Sequence, residues 1–552
     1  MNRIVFILKM FSFCLLTNFA SSQNLESEID KLYEVEENEP GFSIAIIKGD
    51  TIIFEKQYGI ANLDYNVPIS NETVFDIASI GKQFTATAIL LLEEEGKLSI
   101  KDPAYKYIEN LPRYKKGNPT IENLLTQTSG IKEVDPYLDV LDLRWYDYLS
   151  QSQMINIITN VKELKFKPGE YYHYTNANYI LLANIIENVS EKPFVDFITE
   201  QIFLPLGMTN TVKINSTYSI IKNRAIGYTE DEGEYYKTQI PSLIYNGDGQ
   251  VLTTPRDMFK WHQGIQKSIV GTSELWNKMH TKAKLNDGKT IDFGLGVEFE
   301  THNGYKGVGF DGMSRGGFVS KYLYFPELDL AFFTTQNSFS WDFRERFFEL
   351  IDLYIRPITS PKDKNTFESV KSIAISKNEL QKYEGTYLFY NNEDYAIQEI
   401  KLKGDSLIYQ DTDGEKIGEL LPLGNHNFAF IGGSFDSRIK FFIEQDGKQF
   451  TFDDRDGDEP RLFKELIKYE YSTKELEQFV GTYYNKEFQI GKELKLENET
   501  LFYYYRNGAW KTEVSTLSKD LLEISPNPME FIRNNKNEII GFKLMGILFE
   551  KK

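Results

Sequence analysis

The sequence predicts a mixed α/β (α+β) domain followed by two all-β, barrel-like modules. A chain of 552 residues is longer than one hydrophobic core usually serves, and typical domain sizes suggest two to four units. Short apolar strands alternate with amphipathic helices as far as Ile355, and short alternating segments rich in Tyr, Phe and Ile follow beyond residue 377. The hydrophobic fraction of 41% and the aromatic fraction of 14% suffice for packed cores and argue against disorder.

The first residues predict export. Arg3 and Lys9 accompany a mostly apolar run that continues over Met10–Phe19, and small residues follow as far as Ser22. This pattern is typical of a secretory signal peptide, and the run is too short for a stable membrane span. We expect cleavage after Ser22, so that residues 1–22 are the signal peptide and the mature protein is periplasmic or secreted, with no membrane span. A retained N-terminal anchor is the alternative.

Cys14 is the only cysteine of the chain and lies inside this segment. The residues before it, Phe11, Ser12 and Phe13, do not supply the small residue that a lipid-attachment signal needs, so we expect no lipid there. A mature chain without cysteine has no disulfide, no catalytic thiol and no cysteine metal site.

The formal net charge is −19 at pH 7. A charge of that sign repels nucleic acid and anionic membranes, and no run of Lys and Arg offsets it. We therefore expect no nucleic-acid partner and take solubility as the reason for the charge. The sequence does not indicate an oligomeric state.

The first domain is expected over residues 23–358. Gly41–Ile47 and Thr51–Tyr58 have the pattern of a strand pair around a tight turn, and Phe84–Leu92 carries a helical apolar stripe. A segment rich in Pro, Lys and Ser then breaks the pattern and predicts a linker over residues 359–376.

The β modules are expected over residues 377–468 and 472–552. Many short strands at regular spacing favour a sandwich or barrel. The region is also an internal repeat, because the run Glu379–Tyr387 returns as Glu475–Tyr483 with the same Gly-Thr-Tyr ending.

Ser79 and Lys82 are the first candidates for chemistry, in the run Phe75–Lys82 that leads into the predicted helix. Residues three apart share a helix face, so the Lys82 amine can reach the Ser79 hydroxyl and accept its proton. The lysine acts as a base only if burial and its neighbours lower its pKa. The start of the helix also offers free backbone NH groups, that of Ser79 included, to a developing oxyanion.

The same spacing occurs a second time, at Ser129 and Lys132. Ser129 lies in a polar stretch before a glycine, so we assign it to a loop. For Ser79, a helix-capping serine beside a solvated lysine is the structural alternative.

Tyr174 and Asn176 provide further support. A turn leads into an extended piece in which the two side chains point to the same side, and a second apolar helix follows. A tyrosine beside a lysine can relay protons, and an asparagine amide can hold a substrate carbonyl. An aromatic cluster that only packs is the alternative for this Tyr-rich stretch.

These residues resemble the serine β-lactamase-like hydrolases, especially the branch of class C β-lactamases, DD-peptidases, D-aminopeptidases and esterases. The resemblance covers roughly Glu36–Asn337. It rests on five blocks in order: Ser79–Lys82, Thr120–Ile131, Tyr174–Asn176, Gly247–Asp257 and Phe293–Gly296. It implies a β-lactamase/transpeptidase-like domain in which Ser79 is the acylated nucleophile, Lys82 and Tyr174 transfer protons and Asn176 binds substrate.

The chain departs from this family at the third motif, a strand with Lys or His, any residue, then Gly. The best match is Phe310, Asp311 and Gly312, so the basic residue is missing. In the family that cation polarises the tyrosine and binds a substrate carboxylate, and both roles are in doubt here. The resemblance places these three residues at the substrate and implies the backbone NH of Met313 as second oxyanion donor.

No metal or cofactor is expected. The five histidines have no metal-ligand spacing, and the glycines Gly307, Gly309 and Gly312 are not followed by the Lys-Ser or Lys-Thr pair of a phosphate loop.

Two functions remain open at this point. The first is a serine hydrolase that forms an acyl-enzyme on a small-molecule or peptide substrate: a D-amino-acid peptide, a peptidoglycan fragment, an ester or a β-lactam. The second is a ligand-binding or sensor protein that has lost turnover. The β modules resemble the lipocalin-like barrels of D-aminopeptidase-type members, which restrict substrates; a purely supporting role is the alternative.

Overall fold

The structure is a computed structural model. It describes residues 25–36, 38–143, 147–216, 218–238, 243–340, 342–358, 372–391, 395–431, 437–444, 447–453, 457–505, 508–524 and 527–552. The expected signal peptide with Cys14 and most of the expected linker lie outside these residues.

A six-stranded antiparallel sheet forms the centre of the first domain. The expected strand pair is present at its edge as Phe42–Lys48 and Thr51–Tyr58. In spatial order the strands are Glu298–His302, Tyr305–Met313, Val319–Phe325, Leu330–Gln336, Phe42–Lys48 and Thr51–Tyr58.

Helices cover both faces of this sheet. Successive side chains of a strand point to opposite faces, so neighbouring residues of one strand pack into different layers. Phe332 belongs to the hydrophobic cluster of Phe347, on the helix Phe343–Tyr354. Its neighbour Phe333 belongs to the large cluster on the other face, with Phe84. The sheet is therefore the middle layer of three.

The helix Lys82–Glu94 packs against Asn176–Ser190 on the second of these faces, so two of the sequence motifs start on adjacent helices. The described helices of the domain are residues 25–32, Lys82–Glu94, Ile121–Leu125, Asp135–Val140, Gln151–Asn160, Asn176–Ser190, Phe194–Ile198, Pro255–Lys267, Ser273–Met279 and Phe343–Tyr354. Its shorter strands are Ile60–Asn62, Val67–Pro68, Phe75–Asp76, Leu149–Ser150, Val212–Lys213, Tyr228–Asp231, Glu234–Lys237, Leu243–Ile244 and Val251–Thr253. Within the described residues, every helix is too short or too polar to cross a membrane.

The first β module is a closed eight-stranded barrel. Aromatic rings fill it; those of Phe450 and Phe463, for example, stack with centroids 4.7 Å apart. Its strands are Gly385–Tyr390, Tyr395–Lys403, Ser406–Gln410, Lys416–Gly424, Asn427–Ile431, Arg438–Glu444, Gly447–Asp453 and Arg461–Glu465.

The second β module is one antiparallel sheet of nine strands that curls towards closure and stays open between two strands that are consecutive in sequence, Trp510–Glu513 and Ser515–Ser518. The others are Gly481–Asn485, Ile490–Glu497, Thr500–Tyr505, Leu521–Ile524, Asn527–Arg533, Ile539–Leu544 and Ile547–Lys551.

The internal repeat has the same local structure in both modules. A short helix, Lys377–Leu380 or Thr473–Leu476, leads through a 3₁₀ turn into the first strand. The hydroxyl of Tyr387 donates to the carbonyl of Tyr383 at 2.8 Å, and that of Tyr483 to Phe479 at 2.7 Å. The predicted fold class, an α/β domain followed by two all-β modules, is confirmed.

Both modules contact the first domain. In the second, the buried Lys492 forms an ion pair with Asp142. In the first, the carbonyl of Gly457 accepts a hydrogen bond from the Tyr172 NH at 2.7 Å. Gly457 has φ 102°, and a Cβ built there would lie 2.5 Å from Ile291 Cγ2. The tip of the first barrel therefore docks so closely that glycine is required.

We predict that Gly457→Ala loosens this contact. The added methyl would overpack the interface, at a cost of about 1–3 kcal/mol, and calorimetry should show a lowered unfolding transition. Gly404→Ala is the matched control, because Gly404 also has positive φ, 66°, but no atom within 4 Å of its Cβ position. Equal shifts in the two variants would contradict close docking at Gly457.

Candidate active site

Ser79 lies on the 3₁₀ turn Ala78–Gly81, directly before the helix that starts at Lys82. Ala78 has φ 47°, a left-handed conformation that residues with a Cβ adopt at a cost. The buried carboxylate of Asp76 holds this turn: Oδ1 accepts from the Ala78 NH at 2.9 Å, and Oδ2 accepts from Ser314 Oγ at 3.2 Å. The serine is thus presented on a strained, fixed turn.

The strand Tyr305–Met313 passes directly behind this turn. A Cβ at Gly312 would lie 2.1 Å from the carbonyl oxygen of Ile77, so only glycine allows the approach. Met313, the next residue, lines the cavity in front of Ser79 with its side chain 60% exposed. The third motif therefore borders Ser79.

Lys82 is 0% exposed, and its amine lies among three oxygen atoms. Nζ is 3.1 Å from Ser79 Oγ, 2.8 Å from Asn176 Oδ1 and 2.7 Å from the Asp248 carbonyl oxygen. A neutral amine has two N–H bonds and one lone pair. In this neutral form Asn176 Oδ1 and the Asp248 carbonyl oxygen, which can only accept, take the two N–H donors, and the lone pair is available to the Ser79 hydroxyl; in the protonated form all three oxygens accept from Nζ.

The pKa of Lys82 is lowered to about 8, chiefly because burial disfavours the charged form. The carboxylates of Asp248 and then Glu133 raise it and limit the drop. The amine is therefore neutral in part of the molecules near neutral pH.

Tyr174 donates a hydrogen bond from its hydroxyl to Ser79 Oγ at 2.8 Å. Burial raises its pKa well above the ordinary value of 10, so the side chain is a neutral phenol. A neutral phenol can pass a proton on but cannot start as the base. Of the two neighbours of Ser79, the structure leaves Lys82 as the group able to accept the first proton.

Asn176 is the first residue of the helix Asn176–Ser190. Its NH donates to Glu133 Oε2 at 2.8 Å, and the other oxygen of Glu133 accepts from the Val134 NH at 2.7 Å. Burial raises the pKa of the Glu133 carboxyl. Glu133 thus fixes the residue that orients Lys82, a role that the sequence did not suggest.

Ser129, the second serine with the same spacing, is buried in a bend, and its hydroxyl donates to Asn178 Oδ1 at 2.7 Å. It therefore has a structural partner in place of a lysine.

Phe310 is 3% exposed and packs between two other aromatic rings. Its ring centroid is 6.4 Å from that of Tyr174 and 5.8 Å from that of Phe293. An apolar ring thus stands against the phenol at the position where the resemblance implies a cation, and it contributes to the burial that keeps the phenol neutral.

Asp311, the next residue, belongs to an ion-pair network. Its carboxylate pairs with Lys321 and, at 2.8 Å, with Arg344. Glu300 pairs with the same two cations, at 3.0 Å and 2.6 Å. Glu298, Glu300 and Asp311 lie close enough together to suggest a metal site, but two of the three already have cationic partners. The absence of a metal stays a prediction.

A cavity of about 870 Å³ opens in front of Ser79. The first barrel closes one side of it with Arg438, Asp453 and Asp458. Among the described residues, the charged side chains of its wall are six carboxylates and two guanidiniums: Asp292, Glu298, Glu300, Asp311, Asp453, Asp458, Arg344 and Arg438. Lys282 pairs with Asp292, and Lys321 pairs with Glu300 and Asp311; with two lysines and two guanidiniums against six carboxylates, the wall remains negative overall.

The residues identified from sequence, Ser79, Lys82, Tyr174 and Asn176, therefore meet within hydrogen-bond distance, and Phe310, Asp311 and Met313 line the same cavity. Sequence reasoning missed Glu133, Arg344 and the residues of the barrel. Asp248 lies inside the block Gly247–Asp257 that carried the resemblance, but its carbonyl could not be singled out there.

Comparison with known proteins identifies the family of the first domain. The family model described as Beta-lactamase matches residues 24–354, which is more than half of the chain. Penicillin-binding protein 4* of Bacillus subtilis is 29% identical over 291 residues, 50% of this chain and 63% of that protein. D-aminopeptidase of Brucella canis is 26% identical over 277 residues, 50% of this chain and 52% of that protein. The chain thus spans between half and two thirds of the length of these relatives.

Among solved structures, the octameric penicillin-binding protein homologue of Pyrococcus abyssi superimposes with a TM-score of 0.55 at 26% identity. The match covers 80% of this chain and all of that one. Because the family model covers most of the first domain and the ordered motifs meet around Ser79, this chain belongs to the Beta-lactamase family, within the serine β-lactamase-like superfamily.

Proposed function

We propose that this protein is a serine hydrolase that cleaves an amide or ester bond through an acyl-enzyme on Ser79. The observation that carries the proposal is the position of the buried Lys82 amine, 3.1 Å from Ser79 Oγ, with Asn176 Oδ1 and the Asp248 carbonyl oxygen as its two other partners. A buried amine with a lowered pKa is suited to general-base catalysis near neutral pH.

The reaction has two stages. In the first, Ser79 attacks the carbonyl carbon as Lys82 takes the hydroxyl proton, and the backbone NH groups of Ser79 and Met313 stabilise the oxyanion. Tyr174 passes a proton to the leaving nitrogen or oxygen, and the bond to the leaving group breaks. In the second, water attacks the acyl-enzyme with the same groups acting in reverse order.

The wall charges favour a substrate with an amino group near the scissile bond. Carboxylates outnumber guanidiniums in the cavity, and Phe310 occupies the position from which family members bind a substrate carboxylate. A D-aminopeptidase is among the relatives. We therefore favour amides and peptides of D-amino acids with a free amino end over carboxylate-bearing β-lactams.

The rival function is a binding or sensor protein that acylates slowly and does not release product. Phe310 is the observation behind it, because an apolar ring cannot polarise Tyr174. Steady-state turnover on D-aminoacyl amides and p-nitrophenyl esters separates the two functions. Export of the mature chain also remains a prediction.

A fluorophosphonate or fluorescent penicillin should label Ser79 in this protein, and peptide mass mapping should locate the adduct. Ser79→Ala should remove the label. Ser129→Ala is the matched control, because Ser129 is a buried serine of the same spacing that pairs with Asn178, and this variant should keep the label. Labelling that persists in Ser79→Ala, or no adduct at Ser79 with either probe, would contradict the proposal.

The rate of acylation should rise with pH to a plateau above about pH 8. Below the Lys82 pKa of about 8 the amine carries a proton and cannot accept another, so the rate should fall about tenfold per pH unit.

Asn176→Asp adds a negative charge beside the Lys82 amine, which raises the pKa of the amine and should move the midpoint of the pH profile upward. Lys82→Ala should abolish acylation while circular dichroism shows a folded protein. A pH-independent rate would exclude Lys82 as the base.

Phe310→His should raise the acylation rate of substrates that carry a carboxylate next to the scissile bond by about three- to tenfold, because a cation there binds the carboxylate and polarises Tyr174. The comparison is between a dipeptide acid and its C-terminal amide. Phe299→His is the control, since Phe299 lines the same cavity on another strand. Unchanged rates would show that the missing cation does not limit acylation.

A further inference from the structure

A second cavity, of about 1100 Å³, lies where the three units of the chain meet. We call it the junction cavity. Lys165 and His173 of the first domain, Tyr390 and Leu462 of the first barrel and Leu521 of the second module all line it. It is therefore a space that exists only when both β modules are docked.

The junction cavity and the cavity in front of Ser79 share part of their walls. Tyr172, Tyr174, Glu298 and Asp458 line both. The hydrogen bond from the Tyr172 NH to Gly457, together with the β-bridge between Tyr172 and Asp458, fixes this shared wall. The two cavities are therefore neighbours, with Tyr172 and Tyr174 on their common border.

Tyr174 decides which part of a substrate lies on that side. In the reaction proposed above it passes a proton to the leaving atom, so the leaving group must lie against its hydroxyl. Since the same side chain borders the junction cavity, a long leaving group is directed there, while the acyl part stays in the acidic cavity.

The wall of the junction cavity combines apolar and basic groups. Leu388, Phe389, Leu462 and Leu521 provide apolar surface. The hydroxyl of Tyr390, another residue of this wall, is buried and has no hydrogen-bond partner among the described residues.

Four basic side chains line the junction cavity: Lys165, Arg461, Lys464 and Lys519. It also has acidic groups, Glu298, Asp458, Glu459 and Glu465. Of these, Glu465 is paired with Lys448 at 2.8 Å, and burial raises the pKa of Glu459. Relative to the cavity at Ser79, this wall is better suited to a carboxylate.

We propose that the junction cavity binds the leaving-group portion of an extended peptide substrate, with its apolar side chains on the leucines and its terminal carboxylate at the lysines. The protein would then prefer peptides of several residues with a free carboxyl end over short amides. This inference rests on the proposed amide hydrolysis and adds the length and the charge of the leaving group.

The test uses the full chain and three compounds: the tetrapeptide D-Ala-Gly-Gly-Phe, its C-terminal amide and D-alanine amide. Leu462→Trp places a large ring in the junction cavity, and the ratio of kcat/KM for the tetrapeptide to that for D-alanine amide should fall about tenfold. Leu548→Trp is the matched control: the two leucines are 39% and 42% exposed on strands of the two modules, and Leu548 lines neither cavity.

Calorimetric binding to the Ser79→Ala background keeps this test independent of turnover. In the Ser79→Ala background, Leu462→Trp should raise the Kd of the tetrapeptide about tenfold. Lys464→Ala should raise the Kd of the tetrapeptide acid about threefold and that of the tetrapeptide amide less. The control is the neighbouring surface change Lys468→Ala, which should change the Kd of the acid and that of the amide alike.

The outcomes separate the two proposals. Equal affinity of the tetrapeptide for the Leu462→Trp and Leu548→Trp variants, or an equal loss of kcat/KM for long and short substrates, would overturn the assignment of the junction cavity. The unaltered protein could also bind the tetrapeptide in a way that depends on Leu462 and yet hydrolyse no amide. That result would support the assignment of the junction cavity and contradict the proposed hydrolysis.

Discussion

The burial of the Lys82 amine is the constraint on which the rest of the site depends. Taking an ammonium out of water costs several kcal/mol, roughly, unless its donors find partners. Here the partners are Ser79 Oγ, Asn176 Oδ1 and the Asp248 carbonyl, which come from three separate stretches of chain. Burial of the amine costs stability and also lowers its pKa. The same desolvation therefore makes the amine available, in the proposed reaction, to accept a proton near neutral pH.

Several local features serve this arrangement. Asp76 holds the strained turn of the nucleophile, and Glu133 holds the start of the helix that carries Asn176. Gly312 allows a strand to pass behind Ser79. Each of these contacts fixes a backbone segment, so the positions of the reacting atoms follow from main-chain packing and do not depend on mobile side chains.

The charge distribution around the nucleophile differs from the one that the family resemblance implies. The position of the usual cation is taken by Phe310, packed on Tyr174 and Phe293. Arg344 enters from the last helix of the domain and is held by Asp311 and Glu300. The result is a centre in which Tyr174 is a neutral phenol and Lys82, with a pKa of about 8, is neutral in part of the molecules, inside a wall that is mostly acidic.

The sequence by itself determined what local periodicity controls. The spacing of Ser79 and Lys82, the apolar stripe of the helix and the Gly-Thr-Tyr repeat predicted the fold class and the contact between these two residues, because contacts three or four residues apart follow from helix geometry alone. Tyr174 and Asn176 come from a separate stretch of chain, and it was the family resemblance that joined them to Ser79. The sequence context already favoured Ser79 over Ser129, the second serine of equal spacing, and the tertiary structure adds the partner of the Ser129 hydroxyl, Asn178 Oδ1. Only the tertiary structure shows that Arg344, from the last helix of the first domain, and Arg438 and Asp458, from the first barrel, line the cavity in front of Ser79. The position of the barrel residues depends on how separately folded units dock, and docking leaves no periodic signal in a single sequence.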